Sequence, residues 1–277
     1  MSRRWRVFRR NRTALLGAVI VGVMAATAIG AAWIATHDPE TRTESFRTPP
    51  DSAHWLGTDE NGFDVFSRVV YGARASLVTA ICAVGFALLF GVPLGLLAGW
   101  HGGWTDGTIM RSVDVMLAFP SILLAVAIAA ALGEASLTTV ILAVGIVRVP
   151  LFIRQVRAAV LQVKSQEYVI AAQALGAGHT RILLKTVLPN CVAPILVLAT
   201  LSTGIAILDA AGLSFLGLGP PETSPEWGVM LTKARVYIQH DYPWMLLPPG
   251  LAISLTVLGF NLLGDGLRDA FDPRQSR

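Results

Sequence analysis

The sequence predicts an all-α integral membrane protein with six transmembrane helices and both termini in the cytoplasm. Three observations support this class: the composition, the length of the apolar runs and the distribution of the basic residues. Of the 277 residues, 53% are hydrophobic and only 14% are charged, and the mean hydropathy is +0.59. A soluble domain of this size cannot bury so much apolar surface, whereas a bilayer acts as an apolar solvent for it.

Several of the apolar runs are close to the roughly 20 residues that a helix needs to cross about 30 Å of hydrocarbon. We place the spans at 14–35, 77–99, 113–132, 138–153, 193–213 and 246–267. The first run is longer than the apolar core of a secretory signal peptide, so we interpret it as a retained helix. Pro120 and Pro150 fall inside the third and fourth spans, where a kink or a neighbouring helix must satisfy the freed carbonyl.

The basic residues determine the orientation of these spans. With the N-terminus in the cytoplasm, fifteen of the 22 Lys and Arg residues fall in inside segments, six fall outside, and Arg148 lies within a span. An excess of basic residues on the cytoplasmic side is the usual pattern of membrane proteins. The termini and the segment between the fourth and fifth spans are therefore predicted inside, and segments 36–76 and 214–245 outside.

The chain carries no recognisable energy source of its own. It lacks a Gly-x-x-x-x-Gly-Lys-Ser/Thr phosphate loop, and none of its three lysines follows a glycine. The spans also lack the series of buried acids that an ion-coupled carrier often shows, since Asp209 and Arg148 are their conspicuous charges. A channel, an unusual carrier and a subunit driven by a partner all remain open at this point.

The cytoplasmic segment 165–189 predicts a short surface helix. Ser165 is a plausible N-cap, Glu167 favours the positive end of the helix dipole, and Gly176 and Gly178 suit its end. Alanines give this helix a small-residue surface that another protein can approach closely. Such a helix can dock into a groove of a partner, although a surface helix without a partner has a similar sequence.

This segment resembles the EAA loop of ABC importer permeases. Ile170-Ala171-Ala172 stands at the first triplet, Gly176 at the glycine, and Thr186-Val187-Leu188-Pro189 at the end. Ile170 replaces the glutamate of the pattern and Thr186 replaces an isoleucine. Taken alone, the segment is therefore an imperfect match.

Ordered motifs extend the resemblance over nearly the whole chain. They match the C-subunit type of dipeptide, oligopeptide and nickel permeases, with Phe63 standing where that branch usually has Arg. The motifs are His54-Trp55-Leu56-Gly57-Thr58-Asp59-Glu60-Asn61-Gly62, Tyr71-Gly72-Ala73-Arg74-Ala75-Ser76, Ala118-Phe119-Pro120-Ser121, Leu213-Ser214-Phe215-Leu216-Gly217 and Asn261-Leu262-Leu263-Gly264-Asp265.

The resemblance implies a first helix followed by the five-helix core of a type I ABC importer. It divides the chain into 1–70 (cytoplasmic tail, first helix and outer loop), 71–268 (core) and 269–277 (cytoplasmic tail). The implied partners are a homologous B-type permease subunit, two ABC ATPase subunits that bind ATP and Mg²⁺, and an extracytoplasmic substrate-binding protein. No cofactor, catalysis or nucleic-acid binding is implied for this chain, which is expected in a bacterial or archaeal cell (inner) membrane.

The resemblance assigns ATPase coupling to one group of residues, and we expect a charge at Ala172 to block docking. The group is Glu167, Tyr168, Ala171, Ala172, Gly176, Leu188 and Pro189. Asp209 is either a pathway or gate residue or a buried polar link between spans. Asp106 and Asp114 are expected in a solvated turn. The five histidines, His37, His54, His101, His179 and His240, show no paired ligand spacing, so no metal site is expected.

The predicted function is that of a non-catalytic permease subunit of an ABC importer for di- or oligopeptides. The same architecture could import nickel, an opine, glutathione or another small solute. A pore or membrane scaffold without energy coupling is the alternative from another class.

Overall fold

The computed structural model describes residues 8–9, 11–234 and 242–271, except the side chain of Lys233. Most of the N-terminal arginines, Arg235, His240 and the tail beyond residue 271 lie outside the described residues. The described part is helical, with one isolated β-bridge between Thr58 and Asp64 in the first outer loop.

Eleven α-helices and one π-helical turn make up the described part. We number the helices α1 Arg12–Ile29, α2 Ala31–Ile34, α3 Val65–His101, α4 Gly103–Leu117, α5 Ser121–Leu132, α6 Leu137–Lys164, α7 Glu167–Ala174, α8 His179–Ile182, α9 Leu188–Phe215, α10 Trp227–Ala234 and α11 Pro243–Phe271. The π-helical turn, Leu183–Val187, joins α8 to α9.

Five helical segments are long and apolar enough to cross a membrane. They are α1, α3, α6, the continuous run His179–Phe215 and α11. Many of their large apolar side chains are exposed, including Val19, Ile81, Leu89 and Leu196. This is the surface that lipid or another membrane subunit covers, since the described residues do not cover it themselves.

The third predicted span, 113–132, is not one straight helix. α4 ends at Leu117 and α5 begins at Ser121, with a bend of 94° between them. Pro120 causes the break because it cannot donate a backbone hydrogen bond and disfavours a helical conformation in Phe119 before it. The described residues therefore contain six candidate spans only if this bent pair counts as one.

α3 begins at Val65, twelve residues before the predicted start of the second span. Asp64 caps the helix, because its Oδ2 accepts a hydrogen bond from the Ser67 amide at 2.8 Å. Over its 37 residues the helix is about 55 Å long, so it extends beyond the hydrocarbon core. The predicted division between residues 70 and 71 thus falls within a helix rather than in a linker.

α3 and α6 pack in parallel through a row of glycines. A Cβ atom on Gly91 would lie 2.5 Å from Phe152 Cβ, and one on Gly99 would lie 2.7 Å from Val160 Cβ. At Gly95, halfway between them, it would lie 2.7 Å from Val156 Cβ. Small residues at a four-residue spacing let two membrane helices approach closely, because no side chain keeps their backbones apart.

The other close contacts are antiparallel and place both described chain ends at one end of the bundle. α1 packs against α11, with Gly17 against Leu263 and Ala14 against Gly266. Asn11 Nδ2 also donates a hydrogen bond to Asp269 Oδ2 at 2.9 Å. The charge pattern identifies this end as cytoplasmic, and we call it the inner end.

The outer end is held together by buried polar groups. Trp227 at the start of α10 is buried against Gly72, and its Nε1 donates to the Val69 carbonyl at 3.0 Å. Glu226 precedes it and is 3% exposed, and its carboxylate accepts hydrogen bonds from the amides of Gly228 and Val229. Burial raises the pKa of Glu226, so its charge depends on these amide contacts.

We expect Gly95→Leu to lower the free energy of unfolding by about 2 kcal/mol, because the larger side chain forces α3 away from α6. Gly85→Leu is the matched control on the same helix, since nothing lies within 4 Å of a Cβ atom there. Denaturation with SDS in mixed micelles measures both variants. Equal stability of the two variants would contradict the packing described here.

Candidate functional site

The predicted surface helix of the cytoplasmic segment forms as α7. Its N-cap is Gln166, without a side-chain cap, and not Ser165, whose Oγ instead donates back to the Gln162 carbonyl. This correction follows from α6, which continues to Lys164 and uses Ser165 as its own C-cap. The end of α7 is as predicted, because Gly176 has a φ of +79°, a conformation that favours glycine.

α7 is anchored to the bundle by one face. Val169 is fully buried in a cluster with Val160, Ile182 and Cys191 at the inner end of the spans. Ala172 packs partly against the same cluster. Ala172 is thus partly an anchoring residue, so a charge placed there would disturb packing as well as docking.

Outside the anchoring face, the surface of α7 is exposed and largely apolar. Tyr168 is 48% exposed, and Leu175 at the end of the helix is 88% exposed. Ala171 lies between them in sequence at helical spacing and is exposed, as is Glu167 in the first turn. A leucine so exposed, beside small residues, is typical of a surface that another protein covers. Leu175 is not among the coupling residues predicted from the sequence.

The other two predicted coupling residues lie where the segment joins α9. Pro189 is exposed in the first turn of α9, where a proline is tolerated. Leu188 precedes it and packs partly against the anchoring cluster. The structure therefore brings the seven predicted coupling residues onto one continuous segment, with Val169 as an anchor that sequence reasoning missed.

A cleft of about 310 Å³ lies between α7 and the inner end of α3. Trp100, His101, Lys164, Gln173 and His179 line it. Lys164 Nζ donates to the Trp100 carbonyl at 2.5 Å and lies 5.4 Å from the centre of the Trp100 ring. These contacts join the inner ends of α3 and α6 next to α7, at the end of the bundle that also contains both described chain ends.

The two charges within the spans form an ion pair. Arg148 Nη2 of α6 lies 2.5 Å from Asp209 Oδ2 of α9. The Arg148 side chain is 8% exposed and that of Asp209 is 19% exposed. A charged side chain in a bilayer needs a partner, and here each charge supplies the partner of the other. The geometry gives Asp209 the position of a polar link between spans, the second of the two roles considered from the sequence.

The acidic residues of α4 lie in a helix and pair with α6, so the expectation of a turn is wrong, although the Asp114 side chain is exposed as expected. Asp106 binds the guanidinium group of Arg157 through both carboxylate oxygens, at 2.5 and 2.6 Å. Asp114 lies 2.7 Å from Arg154 Nη2. These residues belong to a helix that runs from Gly103 to Leu117, and its pairs with α6 hold it at the inner end.

Two family descriptions match the chain. Residues 91–277 match the binding-protein-dependent transport system inner membrane component. Residues 1–50 match the N-terminal TM domain of oligopeptide transport permease C.

Curated relatives are similar to the chain over nearly its whole length. The dipeptide transport system permease protein DppC of Alkalihalophilus pseudofirmus is 48% identical over 96% of this chain and 87% of its own. The di/tripeptide transport system permease protein DppC of Pseudomonas aeruginosa is 47% identical over 98% and 91%. The glutathione transport system permease protein GsiD of Pectobacterium atrosepticum is 44% identical over 98% and 90%.

A solved structure shares the fold. A chain of the MetNI methionine ABC transporter in an inward facing conformation superposes with a TM-score of 0.61 at 20% sequence identity. The similarity covers 74% of this chain and 97% of that chain.

We expect Arg148→Met to lower the free energy of unfolding by about 3 kcal/mol, because it leaves Asp209 buried without its partner. The double variant Arg148→Met/Asp209→Leu should recover most of this loss, since neither charge then remains. Arg154→Met is the matched control in the same helix and should have little effect, as its pair with Asp114 is exposed. Additive losses in the double variant, measured by SDS denaturation, would show that the pair does not stabilise the fold.

Proposed function

The chain belongs to the family of binding-protein-dependent transport system inner membrane components, and we propose that it is the permease subunit of an ABC importer for di- or oligopeptides. As a member of this family it is a multi-pass transport subunit of the inner membrane. We propose that it supplies half of the translocation pathway and has no catalytic activity of its own.

The exposed apolar face of α7 is the observation that carries the coupling role. It lies at the inner end, the end of the bundle that also contains the described chain ends, where an ATPase in the cytoplasm can reach it. Val169 fixes α7 to the bundle, while Tyr168 and Leu175 remain exposed for a partner. A helix anchored by one face and open on the other transmits movement of the partner to the spans.

The energy comes from partners in this proposal. Two ABC ATPase subunits bind ATP and Mg²⁺, and each docks on one permease subunit. A homologous B-type permease covers part of the apolar surface of the spans, and lipid covers the rest. An extracytoplasmic substrate-binding protein delivers the solute to the outer end. Closure of the ATPases upon ATP binding would then move α7 and shift the permease between its inward and outward conformations.

Asp209 enters the proposal through its pair with Arg148. The pair joins two spanning helices, so any separation of α6 from α9 must break it. We propose that Asp209 acts as a gate element in this sense: it holds the two helices together in one conformation. This role requires no direct contact between Asp209 and the solute.

The relatives support a peptide as the solute, with glutathione as the second candidate. Permeases named for dipeptides and di/tripeptides are 47–48% identical to this chain. Permeases named for glutathione are 44–46% identical to it. Glutathione is itself a small peptide, so the two candidates share a chemical class.

We expect Ala171→Arg to reduce peptide uptake below roughly a tenth of the wild-type rate, because an unpaired charge in a buried interface costs several kcal/mol. Membrane vesicles that contain the chain with its partner subunits measure uptake, and copurification measures docking of the ATPase. Ala171 is a sharper test than Ala172, since it is exposed and does not pack against the anchoring cluster.

Thr108→Arg is the matched control, because it adds the same charge to an exposed helical position at the inner end, outside the α7 segment. It should retain both uptake and docking. Full uptake and normal copurification of the Ala171→Arg variant would refute the docking role of α7.

A second experiment separates the two solutes. We expect ATP-dependent uptake of a labelled dipeptide by the same vesicles, with weaker competition from excess glutathione than from excess unlabelled dipeptide. The reverse order of competition would favour glutathione. Uptake that continues without ATP would contradict the importer and support a pore.

A further inference from the structure

Three ligand-type side chains meet at the outer end of the bundle, although they come from separate segments. His37 follows α2, His54 lies in the loop, and Asp64 caps α3. One ligand atom from each lies within 4.8 Å of the other two. We propose that they bind a divalent transition-metal ion, for which Zn²⁺ is the probe.

The distances are close to those of a metal site. His54 Nδ1 lies 2.9 Å and His37 Nδ1 lies 3.8 Å from Asp64 Oδ1. Tetrahedral Zn²⁺ with bonds of about 2.0–2.1 Å holds its ligand atoms roughly 3.4 Å apart. The two distances to Asp64 Oδ1 therefore differ from this value by only about half an ångström each. Thr36 Oγ1 lies 3.0 Å from His37 Nδ1. This contact breaks when the ion binds to His37 Nδ1.

The charge of Asp64 supplies a separate reason for a cation here. Its side chain is completely buried, and the ion pairs of the described residues connect it to no Lys or Arg, only to His37 and His54. A buried carboxylate requires pairing or a metal. The Ser67 amide satisfies Oδ2, which leaves Oδ1 facing the two imidazoles.

The site has room for a fourth ligand. His37 also lines an open cleft of about 450 Å³, together with Asp38, Glu40 and Tyr71. Water from this cleft can complete a tetrahedral coordination of two histidines and one aspartate. The carboxylates of Asp38 and Glu40 make the cleft attractive to cations.

A metal at this position would connect the first helix to the core. His37 belongs to the segment that leaves α1 and α2, whereas Asp64 begins α3. The ion would thus tie the N-terminal helix to the outer end of the core, a structural function distinct from transport. Spacing in the sequence gave no reason to expect a metal site, because His54 and His37 lie 10 and 27 residues before Asp64.

The test is Zn²⁺ binding by the full chain, purified in detergent through an affinity tag without histidine. We expect competition with a chromophoric chelator to show one Zn²⁺ per chain, and X-ray absorption to show two imidazole ligands. Zn²⁺ should also raise the midpoint of thermal unfolding. His37→Gln should weaken binding at least about tenfold, a loss comparable to those seen when the supporting shell of a metal site is removed.

His101→Gln is the matched control, since His101 is exposed at the inner end, and it should bind Zn²⁺ like the wild type. Asp64→Asn is a second variant that keeps a good helix cap and should also lose binding. An absence of saturable binding would overturn the proposal and leave His54 and Asp64 as a hydrogen-bonded pair. Equal affinities of the wild type and the His37→Gln variant would overturn it as well.

Discussion

The close contact between α3 and α6 is the interaction on which the rest of the structure depends. Gly91, Gly95 and Gly99 bring the two backbones together over about two helical turns. In a bilayer, apolar side chains gain little by leaving lipid for each other, so packing of this kind determines which helices pair. Because the two helices are parallel, the chain between them must return across the bundle, and α4 and α5 make that return with a sharp bend.

The two ends of the bundle use different chemistry. The outer end is built from buried polar groups, with Asp64 and Glu226 capping helices and Trp227 sealed against α3. Such groups hold loops in one conformation because each would lose its hydrogen bonds if it moved. The inner end presents an apolar helix that is anchored by Val169 and otherwise exposed. A rigid outer end and an accessible inner end suit a protein that receives solute on one side and force on the other.

Composition and periodicity predicted much of the fold, since a bilayer imposes length and hydropathy on every span. Gly176 predicted the end of α7 correctly, because its positive φ is a local property of glycine and requires no contact with distant residues. Contacts between residues far apart in the sequence could not be predicted from it. The pair of Arg148 and Asp209 spans 61 positions, and the cluster of His37, His54 and Asp64 forms only when two loops meet α3. The start of α3 was missed for the same reason, because loop contacts bury its polar first turns.

The cytoplasmic segment 165–189 does not end where the span begins. α8, the π-helical turn and α9 form one helical rod of 37 residues, about 55 Å long. Gly264 of α11 packs closely against Leu201 of this rod, about 33 Å from the inner tip and 21 Å from the outer tip. Because a helix does not stretch, a rigid tilt of the rod about Leu201 would move its two tips in opposite directions. The outer tip would then move about two-thirds as far as the inner tip, except for what the π-helical turn absorbs by bending.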